Sequence, residues 1–97
     1  MYAIIRRYQV PATQQEEVVR RVDESWLEEV EKLPGFQSYY VMRSGSVELM
    51  SVTMFLDRET SNTSALANRR WQQEHLLDKE VVLLESWHGE VLVHGAR

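Results

Sequence analysis

The chain contains no cysteine, which excludes disulfides, thiolate metal ligands and cysteine nucleophiles together. Proline and glycine are scarce, two and four in 97 residues, and there is neither a low-complexity linker nor a Gly-rich phosphate loop. No apolar run approaches the roughly 20 residues that a membrane-crossing helix needs. The opening MYAIIRRYQV is too short in its apolar part, and has the wrong charge order, for a secretory leader. A cytoplasmic protein is therefore expected. Positive charge is also in deficit. A net charge of −4 argues against a nucleic-acid partner, whose phosphates demand a basic face, although arginines pair at Arg6-Arg7, Arg20-Arg21 and Arg69-Arg70.

What remains is an ordinary globular composition, 43% hydrophobic and 27% charged, which fits one domain over residues 1–97. Its most informative stretch is Ser46–Leu56, SVELMSVTMFL. One parity carries Val47, Leu49 and Phe55, interrupted by Ser51 and Thr53. The other carries Met50, Val52, Met54 and Leu56, interrupted by Glu48. A strand covered on one side alternates apolar with polar. This one predicts a central strand with something packed on both faces.

Tyr2–Gln9 reads as a first strand ended by Pro11. Thr13 and Glu16 have capping-box spacing, and Val18, Val19, Val22, Trp26, Val30 and Leu33 then recur at helical spacing up to the stop at Pro34-Gly35. Glu16–Arg20, Glu17–Arg21 and Glu28–Lys32 fall at i,i+4 on the other side. Phe36–Arg43 is a strand turned by Ser44-Gly45 into the central one. Asp57–Leu77 is a second helical region in which Leu66, Leu76 and Leu77 fall partly off the main stripe, which predicts a kink or two short helices. Val81–His94 is the last strand, with a bulge or bend expected at Gly89.

The order β-α-β-β-α-β packs as an antiparallel four-stranded sheet with both helices on one face, a ferredoxin-like α+β fold. The other face would then be an unusually large apolar patch. A second copy laid sheet to sheet is the direct remedy, so a homodimer through the sheet face is expected. RNA-recognition modules share this order, but their third strand carries stacking aromatics and a basic residue; VELMSVTMF has no base and no aromatic before Phe55.

Four segments, MYAIIRRYQV, PGFQSYYVM, SNTSALANRRWQQEHL and GEVLVH, together resemble small bacterial proteins of the dimeric α/β-barrel superfamily, in particular antibiotic-biosynthesis-monooxygenase-like (ABM) domains. The resemblance spans nearly the whole chain. It implies a dimer whose sheets form a barrel, a last strand reaching the partner, and a ligand pocket between sheet and helices. The family includes cofactor-free monooxygenases, haem-degrading enzymes and members without an assigned activity.

Candidate site residues follow from helical spacing and from that resemblance. Asn68, Trp71 and His75 share one face of the second helix. By resemblance, Trp71 would wall a pocket for an aromatic or quinone-like compound, Asn68 or Asn62 would be an oxyanion donor, and His75 a base, with no cofactor and no metal. Arg7 and Tyr40 are expected to contact substrate with Asn62. The competing reading makes Trp71 core, with Asn68 and His75 at its wet margin. Strand one lacks the Asn of the haem-degrading relatives, which argues against that activity. His88, Glu90 and His94 share a strand face, but residues 88 and 94 would lie about 20 Å apart, too far for one ion. Arg6 and Arg7 point to opposite faces, so one approaches a buried surface and needs a carboxylate, for which Glu48 is the candidate. The alternative function is a non-enzymatic ligand-binding or structural dimer.

Overall fold

The computed structural model describes residues 1–97. Strands β1 (Tyr2–Gln9), β2 (Phe36–Gly45), β3 (Glu48–Phe55) and β4 (Val82–Glu90) form one sheet in the order β2-β3-β1-β4, every pair antiparallel. Helices α1 (Ala12–Arg21) and α2 (Leu27–Glu31), joined by a π turn at Val22–Trp26, and α3 (Arg58–His75) cover one face. This is the ferredoxin-like arrangement that the element order predicts.

Burial along β3 alternates strictly. Leu49, Ser51, Thr53 and Phe55 are buried under the helices, while Glu48, Met50, Val52 and Met54 are only half-covered. The parity holding both hydroxyls is thus the one that faces inward. The more apolar parity faces out, joined in register by Tyr40, Ile5 and Trp87, which with Val52 make one row across the sheet. Strand β3 is apolar on both sides, and the helices cover only one of them.

The long first helix is the irregular one. Val18, Val22, Trp26 and Val30 follow each other at intervals of four, and at 3.6 residues per turn such a series drifts by roughly 40° a step. A π turn takes up about one extra residue. It therefore keeps Val18, Trp26 and Val30 in one buried line. By contrast α3 is one continuous helix, neither kinked nor split: Leu66 is left in solvent, and Leu76 and Leu77 fall past its end at His75, where Leu76 is buried and Leu77 is 84% exposed.

Other local expectations shift. Pro11, not Thr13, occupies the N-cap of α1, so the capping box does not form. Gln15 acts nearby instead: buried, it donates from Nε2 to the carbonyls of Val10 and Ser46, and its Oε1 accepts from Arg43 Nε at 2.8 Å. Glu17–Arg21 and Glu28–Lys32 pair, but Arg20 binds Glu17 and Glu24 rather than Glu16. The hairpin turns at Ser46-Val47, past Ser44-Gly45. In β4 the register slips between Glu85 and Leu83, and Gly89 pairs regularly with Ala3. That strand ends at Glu90, before His94.

Asp57 caps α3, its Oδ1 accepting from the Thr60 N–H at 2.9 Å. Thr60 in turn packs where a side chain on Gly35 would stand. Gly35 has φ of +84°, and an added Cβ would lie 2.8 Å from Thr60 Oγ1. Glycine meets both demands at the end of the first helical segment.

Candidate functional site

A cavity of about 50 Å³ lies between the inner sheet face and the helices. Its apolar wall is built by Val18, Val22 and Trp26 from the first helical segment, Leu49 from β3, and Trp71 and Leu76 from α3 and its end. Its polar groups are Arg6, Tyr8, Tyr39, Ser51, Asn68 and Gln72. Arg6 stands on β1 between Ser51 of β3 and Ser86 of β4, two short neighbours.

Trp71 is 2% exposed, and its Nε1 donates to Ser25 Oγ at 2.8 Å. One side of the indole meets Trp26, with centroids 6.0 Å apart, and the His75 ring lies 5.1 Å away. Such tilted aromatic contacts add to simple area burial. Trp71 is therefore a core residue that also walls the cavity.

Gln72 organises the polar end. Its Nε2 donates to Asn68 Oδ1 at 2.9 Å and to the Tyr8 hydroxyl at 3.2 Å. With those acceptors occupied, the Tyr8 O–H and the Asn68 amide N–H remain as donors. Burial holds the Tyr8 phenol above its ordinary pKa, and the Arg6 charge and the Gln72 hydrogen bond pull it back. Burial raises Tyr39 further, helped by Tyr8 and opposed by Arg6. Both phenols accordingly stay neutral donors at physiological pH, beside a guanidinium.

Asn68 and Trp71 both line this cavity. His75 stacks on Trp71 from outside it, half-buried, with its backbone carbonyl taking Arg21 Nη1 at 2.7 Å. Asn62 is exposed and does not line the cavity. Arg7 and Tyr40 belong to the opposite, open face of the sheet, since their strand parity turns them away from the helices. There Arg7 is held by Glu48 at 3.0 Å and by Glu85, with Ser44 donating to Glu48 at 2.7 Å. Glu48 is the partner that the sequence nominates; Glu85 is added by the neighbouring strand. The cavity arginine is Arg6, Tyr8 and Gln72 line the cavity with it, and Ser25 holds the Trp71 indole without lining it. Gln72 could have been found at i+4 from Asn68, whereas Ser25 meets Trp71 only through the tertiary fold.

His88, the first member of the expected polar strand face, exchanges a 2.7 Å hydrogen bond with the Tyr2 hydroxyl. No group of three or more His, Asp or Glu side chains is placed to share an ion. No helix is long and apolar enough to cross a membrane.

A family model described as antibiotic biosynthesis monooxygenase matches residues 1–62, more than half of the chain. The chain belongs to this family. Solved structures share its fold, among them one described as an antibiotic biosynthesis monooxygenase from Chloroflexus aurantiacus. HapK from Hahella chejuensis superposes with a TM-score of 0.80 at 16% identity, over 100% of this chain and 98% of that one. A dimeric ferredoxin-like protein from an uncultured marine organism gives 0.80 at 13% identity, over 100% of both chains. The monooxygenase from the ActVA-Orf6 gene of Streptomyces coelicolor, solved with nanaomycin D, gives 0.71 at 15% identity, over 99% of this chain and 89% of that one. At such identities the likeness establishes the fold. No curated protein matches the chain in sequence. The ABM match stops within α3, so Asn68 and Trp71 lie beyond it.

Proposed function

We propose that this ABM protein is a cofactor-independent oxygenase-like enzyme acting on an aromatic or quinone-like compound, as a homodimer joined through the open sheet faces. The observation that carries the reading is the convergence of Arg6, the Tyr8 O–H and the Asn68 amide on one end of an otherwise apolar cavity walled by Trp71. Apolar walls with a few convergent polar groups suit a flat ring bearing an oxygen. In an anthrone-type substrate, loss of a ring-methylene proton puts negative charge on that oxygen, and prearranged donors stabilise it there. The carbanion then reduces dioxygen: one oxygen atom becomes a ring carbonyl and the other leaves as water, both electron pairs coming from the substrate.

The dimer rests on the open face. Tyr40, Met42, Trp87 and Met50 lie on it, the first three exposed. Several large apolar side chains in one continuous patch are what a second copy would cover.

The cavity as it stands holds a water or two, not a ring. A ring would need the adjoining groove of about 140 Å³ along Ala65, Asn68 and Leu83. This tightness favours the second reading, a non-enzymatic structural dimer. Oxygen uptake with anthrone separates the two. Enzyme-dependent uptake, insensitive to a chelator and lost in Asn68→Ala at unchanged folding, supports the oxygenase. Uptake equal to the protein-free rate, with no anthrone bound, leaves the structural dimer.

A further inference from the structure

Beyond ring chemistry, the charges around the cavity bear on what else its ligand carries. Arg7, Arg20, Arg21, Lys32 and Lys79 are each held by at least one carboxylate. Arg6, Arg43, Arg58, Arg69, Arg70 and Arg97 take part in no ion pair, and of these Arg6 and Arg69 line the groove that opens from the cavity. No Asp or Glu lines either the cavity or the groove. In a chain of net charge −4 this is a local reversal of sign.

Arg6 is the less ordinary of the two. It is half-buried on the helix-covered face of the sheet, where an unpaired guanidinium is costly. A structural role would normally come with a carboxylate, as Arg7 shows one residue away on the other face. The cross-strand neighbours of Arg6 are serines, which leave room beside it and supply no countercharge. Arg69 is exposed on α3 across the same groove, where it can meet a ligand entering from solvent.

We propose that the ligand of this site is an aromatic carboxylate, its ring lying in the groove with one edge toward the Trp71 cavity and its carboxylate held by Arg6 and Arg69. Guanidinium geometry matches a carboxylate with two parallel hydrogen bonds. The proposal rests on the aromatic-site reading for the ring, but its charge selectivity is separately measurable.

The test is a pair of equal-shaped probes, naphthalene-2-carboxylate and naphthalene-2-carboxamide, titrated into the full chain. NMR reads the Trp71 indole N–H and the Arg6 Nε–H. The expected result is that the carboxylate binds about tenfold or more tightly than the amide. It should move both signals and weaken with added salt. Arg69→Gln, an exposed change that leaves the fold intact, should shrink the ratio severalfold, and Arg6→Gln should abolish it. Equal affinity for the two probes would overturn the charge assignment while leaving the aromatic site standing. If neither probe moves Trp71, the aromatic reading fails; the anion site then survives only if the carboxylate alone still moves Arg6. Silence at both signals overturns both.

Discussion

The indole N–H of Trp71 and the hydroxyl of Ser25 meet at 2.8 Å across 46 residues of chain, linking α3 to the π turn of the first helical segment. Ser25→Ala would leave that N–H without its partner beneath the helices. The expected cost is about 1–2 kcal/mol. Trp71→Ala should cost about 3–5 kcal/mol through the cavity it leaves. Urea unfolding of the two variants checks this, and a Ser25→Ala protein as stable as the wild type would refute the bond's contribution.

The open sheet face gives a prediction about mass. Val52 stands there between Tyr40 and Ile5, half-covered. Val52→Glu should leave the circular-dichroism spectrum unchanged and yield a species of 11.4 kDa by light scattering. The wild type should run at twice that mass. A monomeric wild type at tens of micromolar would remove the dimer.

Gly35 tests a close approach. Gly35→Ala places a methyl against Thr60 in a left-handed backbone conformation. A loss of about 1–3 kcal/mol is expected. In a Thr60→Ala background part of that loss should return, because the contact goes while the φ penalty stays. Additive double-mutant energies would show that only the backbone matters.

Acid should weaken the tie between the first helical segment and the loop after α3. Arg20, then Arg21, draws Glu17 down to about 2, and Arg21 draws Asp78 down to about 2. Both carboxylates have folded pKa values below their unfolded ones. Their stabilisation is therefore present above the ordinary carboxylate range and is lost as pH falls from about 4 through about 2. All these groups are solvent-accessible, so the effect is small and shrinks with salt. Melting temperatures measured from pH 7 to 2 should fall less steeply in Arg21→Gln. Parallel curves for variant and wild type would contradict the assignment.

Element order, sheet composition and the two-sided apolarity of β3 were readable because strand alternation and helical spacing are local. Which side of β3 the helices take was not, since Ser51 and Thr53 make the buried parity the more polar one. The irregular helix was also misplaced. Leucines off the stripe of α3 suggest a bend, yet an exposed Leu66 costs little, while the unbroken four-residue spacing from Val18 to Val30 was the real signal. At the site, Asn68 and Trp71 come together because one helix carries both. Arg6 replaces Arg7 because a one-residue step on a strand reverses the face, and the sequence alone does not say which face the helices choose.

The π turn has a bearing on length. Between Val22 and Trp26 the helix holds about one residue more than its path requires, and Asp23 and Glu24 are exposed there. Removing either would give an ordinary α-helix with Val18, Val22, Trp26 and Val30 at successive spacings of four, three and four, still a single stripe. Loss of one residue at that point should therefore be absorbed by the winding of the helix and leave the register of the sheet unchanged.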